Sequence, residues 1–235
     1  MNIIVTGASR GIGFELVKRF AANGNHTIVA ISRNEKGLEK LKNACTKEYG
    51  RINLHTIPFD LASDNLSTSS LLKSINSYFT KVDILVNNAG YLSNKSLTEL
   101  PDNEMWNMIK VNFSAPAQLI KLLLPIMNRG AHVVNISSMG GFQGSAKFAG
   151  LSVYSATKAA LASLTECLAE EYKETGVAFN CLALGAVATE MFAEAFPSYQ
   201  APVTAEKMAE FICNFALTGN QFFNGKIIPV SLSTP

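Results

Sequence analysis

Short runs of apolar, often β-branched residues recur along the whole chain, each followed by a longer stretch in which apolar positions return every three or four residues. The short runs are Ile3 to Val5, Thr27 to Ile31, Ile52 to Ile57, Ile84 to Val86, Val133 to Ile136, Val177 to Leu182 and Ile227 to Val230. Their hydrophobicity is continuous rather than alternating, which predicts strands buried on both faces, as in a parallel sheet between two helical layers. The longer stretches predict those helices at Ile12 to Ala22, Glu35 to Glu48, Ser69 to Tyr78, Asn103 to Met127, Ser152 to Lys173 and Ala205 to Leu217. Right-handed crossovers then give a doubly wound α/β fold of Rossmann type, a single domain over 1–235, with ligands expected at the carboxyl ends of the strands.

Composition narrows the functions open to such a fold. Hydrophobic residues make up 48% of the chain and charged residues 16%, the balance of a well-buried globular protein. The net charge is +2 and no Lys/Arg block exceeds a dipeptide, so nucleic acid is not expected as a partner. The first strand run starts at Asn2 and meets a glycine turn by Gly7, without a basic leader or an apolar span, so no membrane partner is expected and the expected location is cytoplasmic. Cys45, Cys167, Cys181 and Cys213 are widely spaced and read as free thiols; no metal site is expected. His26, His55 and His132 read as structural or surface imidazoles.

Candidate chemistry clusters at strand ends. The segment Thr6-Gly7-Ala8-Ser9-Arg10-Gly11-Ile12-Gly13 follows the first strand and opens the first helix. Backbone amides at a helix start hold a pyrophosphate, and glycines at 7, 11 and 13 permit the turn, close approach of phosphate and close helix packing. A plain tight turn would need some of the same glycines. The second strand ends Ile31-Ser32-Arg33-Asn34, with no carboxylate to hold ribose hydroxyls; Arg33, with Arg10 from the glycine turn, suits the 2′-phosphate of NADP(H) in preference to NAD(H). Two solvated surface arginines are the alternative.

Tyr154 and Lys158 stand four apart on one face of a predicted helix. An ammonium near a phenol favours its anion, which would make Tyr154 a general acid in carbonyl reduction and a base in alcohol oxidation. Ser138 ends the fifth strand, where its hydroxyl would reach a substrate oxygen. A tyrosine–lysine pair at this spacing also describes an ordinary surface contact; the strand-end serine and the glycine turn supply the context that makes it chemical.

Together TGASRGIG at 6–13, FDL at 59–61, NNAG at 87–90, VNFSAP around Asn112, NISS at 135–138, YSATK at 154–158 and Thr189 after the sixth strand resemble the short-chain dehydrogenase/reductase family over nearly the whole chain. The resemblance, to carbonyl reductases like those acting on 3-oxoacyl carrier proteins, implies a catalytic tetrad of Asn112, Ser138, Tyr154 and Lys158, with Asn112 helping to hold a water near Lys158 and Ser138 preferred to Ser137. It implies cofactor contacts from Gly7, Ser9, Arg10, Gly11, Ile12, Gly13 and Arg33, from Asp60 and Leu61 at the adenine, and from Asn88, Ala89 and Gly90 at its ribose. Tyr154 and Lys158 would also touch the cofactor, and Val187 and Thr189 its carboxamide.

The chain departs from that family in places. Leu184-Gly185 replaces the usual Pro-Gly after the sixth strand, and Ser138 and Tyr154 stand 16 positions apart, a few more than is common. The carboxyl end lacks the usual acidic, glycine-rich close. A substrate loop at about 189–204 carries Met191, Phe192, Phe196 and Tyr199, either as an apolar lid or packed on the core or another subunit. Small residues Ser155, Ala159, Ala162 and Ser163 on the Tyr154 helix permit close packing; the resemblance implies that this helix and the Asn103 to Met127 helix form the interface of a homodimer or homotetramer, while burial within one subunit would explain the same residues. The function read from all this is NADP(H)-dependent reduction of a carbonyl substrate, a small ketone or a 3-oxoacyl thioester; the alternative is a non-catalytic NADPH-binding or sensor protein of the same fold.

Overall fold

A computed structural model describes residues 1–63 and 70–232. Its strands are β1 Asn2–Thr6, β2 Thr27–Ser32, β3 Asn53–Pro58, β4 Val82–Asn87, β5 Met127–Ser138, β6 Ala178–Leu184, β7 Val187–Ala188, β8 Val203–Thr204 and β9 Lys226–Val230. Seven of them form one wholly parallel sheet in the order β3-β2-β1-β4-β5-β6-β9, while β7 and β8 make a separate two-residue ladder. The helices are α1 Gly11–Ala22, α2 Glu35–Tyr49, α3 Leu71–Asn76, α4 Asp102–Ile109, α5 Ala115–Leu123, α6 Ser152–Glu171, α7 Glu190–Ala195 and α8 Ala205–Thr218.

Continuous apolar strands bury both faces, and neighbours along each strand divide between two cores. Ile3, Val5, Ile28, Ala30 and Val86 pack with α1, α2 and α8, whereas Ile4, Val29, Ile31 and Leu85 pack with α3, α5 and α6. The sheet is therefore the doubly wound, helix-covered sheet that the sequence predicts. Winding runs one way from β1 through β2 to β3 and the other way from β4 onward, so a crevice opens beyond the carboxyl ends of β1 and β4. No helix among the described residues is long and apolar enough to cross a membrane.

Several boundaries differ from the sequence expectation. The single helix expected over Asn103 to Met127 is α4 and α5 joined by a π-helical turn, Lys110–Ser114. Pro116 has no N–H to give the carbonyl four residues back, that of Asn112, and the backbone instead closes a wider ring from the Ala115 N–H to the Lys110 carbonyl. Pro125 then ends the helix through a tight turn, Leu124–Ile126, and Met127 already belongs to β5. Helix α6 stops at Glu171, before a tight turn over Lys173–Thr175. Ser69, expected to begin the third helix, lies outside the described residues. Segment 189–204 is more ordered than a loop: Thr189 caps α7, accepting from the Phe192 N–H at 3.2 Å, and Val203 pairs with Val187. Of the small residues on α6, Ser155 and the backbone of Ala159 lie against the turn Met139–Gly141, so a contact within the chain accounts for them.

At the opposite, amino-terminal end of the sheet, His132 is buried with one ring nitrogen 3.0 Å from the Ala216 carbonyl and the other 3.0 Å from the amide nitrogen of Asn180. Burial lowers its pKa from 6.5 to about 4. The unfolded imidazole takes up its proton near 6.5 and the folded one only near 4, so folding stability falls as pH drops through that window. Between pH 7 and 5 the loss from this group should be about 2 kcal/mol. Urea unfolding at the two pH values measures it, and His132→Gln should flatten the dependence.

Candidate active site

The glycine turn is fastened to the end of β4. The Thr6 hydroxyl oxygen accepts from the backbone N–H groups of Asn88 and Ala89, both at 3.0 Å, and the Asn88 amide donates back to the Thr6 carbonyl at 3.0 Å. Gly7 takes φ +69°, and a Cβ there would stand 2.7 Å from Cα of Ala89, so only glycine fits between the two strand ends. Gly11 opens α1, directing its first amides at the crevice. Gly13 lies behind the turn and packs against the Gly7 carbonyl rather than facing the crevice. Asn88 thus serves the backbone as an asparagine-rich turn would, while it also faces the cleft.

One cavity of about 750 Å³ runs along this edge of the sheet. At one end it meets Ser9, Arg33, Asp60 and Leu61; in the middle Gly7, Gly11, Ile12, Asn88, Ala89 and Gly90; at the far end Ser138, Tyr154, Lys158, Val187 and Thr189. Ser32, which the sequence reading passed over, donates its hydroxyl to Ser9 at 2.8 Å and braces the turn against β2. Asp60 accepts from the Ala62 N–H at 2.9 Å, so its carboxylate also closes its own turn. Arg33 is exposed and forms no ion pair among the described residues. Arg10 also lines the cavity, with its guanidinium paired to Glu194 of α7 at 2.7 Å.

Two reciprocal bonds lock β5 to α6 at the far end. The Lys158 ammonium donates to the Ile136 carbonyl at 2.8 Å, and the Ser137 hydroxyl donates to the Lys158 carbonyl at 2.8 Å. Ser137 is therefore committed to the backbone, which leaves Ser138 as the serine that meets Tyr154. Ser138 accepts from the Gly140 N–H at 3.2 Å. Gly141 lets the turn after Ser138 touch α6: a Cβ there would stand 2.7 Å from the Ala159 nitrogen. The Lys158 ammonium lies 5.8 Å from the Tyr154 ring centre, and the three side chains expected to converge do so at one wall.

Burial governs the ionisation of this group. It raises the Tyr154 phenol to about 12, with the Ser138 hydroxyl pulling the other way, and lowers the Lys158 ammonium to about 8, against a small upward pull from Cys181. Burial is the larger influence on the phenol in this structure, where the Lys158 ammonium is turned to the Ile136 carbonyl.

Asn112 occupies the π-helical turn and is fully buried. Its amide accepts from the Tyr91 N–H at 2.8 Å, donates to the Tyr91 carbonyl at 2.8 Å and donates to Thr157 at 3.1 Å. It stands behind Gly90 rather than on the cavity wall; a Cβ on Gly90 would lie 3.7 Å from both the Asn112 oxygen and the Lys158 ammonium. Leu92, Met139 and Phe148 also line the cavity and were not read from the sequence, although Leu92 directly follows NNAG-Tyr and the other two fall in the lengthened stretch between Ser138 and Tyr154.

Comparison with known proteins agrees with this geometry. The family profile described as short chain dehydrogenase matches residues 1–200. The ketoacyl reductase HetN of Nostoc sp. is 34% identical over 188 residues, 79% of this chain, and the match spans 63% of that relative's own length. A fatty acyl-CoA reductase of Acinetobacter baylyi is 30% identical, covering 89% of this chain and 70% of its own. Among solved structures, a short chain dehydrogenase of Escherichia coli complexed with NADPH superimposes with a TM-score of 0.86 at 26% identity, over 97% of this chain and 95% of that one. The chain belongs to the short-chain dehydrogenase family.

Proposed function

We propose that this protein is an NADP(H)-dependent carbonyl reductase, with Tyr154 as proton donor and Ser138 and Lys158 as its partners. The observation that carries the reading is the convergence of Tyr154, Ser138 and Lys158 on the same cavity wall that the glycine turn opens. The residues present fit a nicotinamide dinucleotide phosphate. Gly7 and Gly11 leave a cradle that side chains would fill, the first amides of α1 face it, and Arg33 stands unpaired among the described residues at the end of β2. Ser9, Ile12, Asp60, Leu61, Asn88, Ala89 and Gly90 would line the rest of the dinucleotide, and Val187 and Thr189 its reactive end. Arg10 would reach the 2′-phosphate by leaving Glu194. The cofactor supplies a hydride to the carbonyl carbon.

The chain's own groups handle the oxygen and the proton. As the carbonyl π electrons move onto oxygen, Ser138 donates a hydrogen bond to it and Tyr154 transfers its phenolic proton, giving the alcohol. With its pKa raised to about 12, the phenol holds that proton at neutral pH until the alkoxide develops. Lys158 stabilises the phenolate left behind, and the Asn112 turn beside it would hold a water through which the proton is replaced. Both a 3-oxoacyl thioester and a small ketone contain the carbonyl this chemistry needs. Association as a homodimer or homotetramer is supported by an apolar groove between α4 and α6, lined by Leu97, Met105, Phe113 and Val153.

Tyr154→Phe should lower kcat for ketone reduction at least about a hundredfold while NADPH affinity changes little; equal, negligible rates for mutant and wild type with NADPH still bound would favour a binding protein. Because the Lys158 ammonium is lowered to about 8, kcat/KM for reduction should be steady below that pH and fall above it as the lysine loses its charge. Arg33→Ala should reduce the preference for NADPH over NADH by about tenfold, measured as the ratio of dissociation constants. Light scattering of the purified protein should give two or four copies; a monomer would remove the interface from the reading.

A further inference from the structure

Beyond Tyr154 the cavity loses its charge. Leu92, Met139 and Phe148 line it, together with Phe192 from α7 and Phe196 and Tyr199 from the segment that follows. The Phe192 ring centre is 5.0 Å from that of Phe196 and 5.7 Å from that of Tyr199, so the segment presents a packed aromatic cluster rather than separate side chains.

Among the described residues, Lys147 in the loop after Ser138 and Lys95, whose N–H donates to the Gly150 carbonyl at 3.0 Å, are already engaged. The Lys147 ammonium donates to the Gly140 carbonyl at 3.0 Å, the Phe142 carbonyl at 2.7 Å and the Ser145 hydroxyl at 3.0 Å, which uses all three of its protons to shape the lengthened loop after Ser138. Lys95 is paired with Glu104 at 2.7 Å, and Arg10, here on Glu194 at 2.7 Å, is the residue that the reading above gives to the cofactor's 2′-phosphate. Glu190 adds a carboxylate to the lining near Gly11. A substrate tethered through a phosphate-bearing arm needs free cations at the mouth, and a substrate carboxylate needs one inside.

Resting on the reductase reading above, we infer that the substrate is an uncharged, lipophilic ketone with an aromatic or alicyclic body, taken free from solution. Its carbonyl meets Tyr154 and Ser138, and its body lies between the loop bearing Met139 and Phe148 and the aromatic cluster of α7. Uncharged apolar groups lose nothing by entering such walls, whereas a carboxylate or phosphate gives up its hydration without a partner.

The test uses the full chain saturated with NADP+ and three probes: acetophenone, 4-acetylbenzoate and acetoacetyl-CoA. Calorimetry should show acetophenone binding at least about tenfold more tightly than either anionic probe, and kcat/KM with NADPH should rank them the same way. Comparable or tighter binding of 4-acetylbenzoate or acetoacetyl-CoA, or no measurable binding of acetophenone, overturns the inference. Preferential binding of acetophenone while no probe consumes NADPH upholds the pocket's preference and defeats the reductase reading instead. Phe148→Arg, at an exposed position on the cavity rim, should narrow the gap between acetophenone and 4-acetylbenzoate at least about threefold; an unchanged gap also overturns it.

Discussion

Lysine 158 is held twice by one strand: its ammonium on the Ile136 carbonyl and its own carbonyl under the Ser137 hydroxyl. This reciprocal clamp sets the separation of β5 and α6, and the geometry of the site follows from that separation. It turns the last hydroxyl of the strand, Ser138, toward Tyr154, one helical turn before the lysine. Gly141 allows the chain to leave the strand across the helix without forcing the two apart. A buried ammonium satisfied by one carbonyl is costly, and its pKa, lowered to about 8, records that cost as ionisation close to neutrality.

At the other half of the crevice the constraint is similar, with neutral groups in place of charge. Thr6 and Asn88 stitch the end of β1 to the end of β4, so the glycine turn has a fixed height above the sheet. A chain of buried amides and hydroxyls, Asn87 to Asn135 at 2.8 Å and Asn135 to Thr165 at 2.9 Å, continues the stitching to β5 and α6. Each member is satisfied by its neighbour, which is what makes polar groups tolerable at that depth. Nucleotide end and chemical end thereby belong to one rigid edge.

The sheet was legible because strands buried on both faces are largely apolar, as β1, β2, β4 and β6 are, while the edge strands β3 and β9 are only partly buried and still carry enough apolar residues to be recognised. Tyr154, Lys158 and Ser138 were legible because helical spacing and a strand end are local properties of the chain. Partners chosen across long separations were not: nothing near Arg10 in sequence indicates Glu194, and nothing near Asn112 indicates that its amide would be taken up by Tyr91 and Thr157. Helical spacing likewise gives the nearness of Lys158 to Tyr154 and leaves out which carbonyl the ammonium takes, that of Ile136. The break in the long helix did have a local signal, Pro116, which hydrophobic periodicity alone does not register.

That widened turn at Lys110–Ser114 also limits how the gene can vary in length. Each residue of an α-helix turns the chain by about 100°. Deleting one position there would let the ring close normally, yet it would rotate Asn112 away from Tyr91 or swing the apolar face of α5 off the sheet, depending on which side of the turn took up the change. Insertions and deletions in this stretch should therefore be selected against whatever side chain they remove, so related sequences should align across it without gaps.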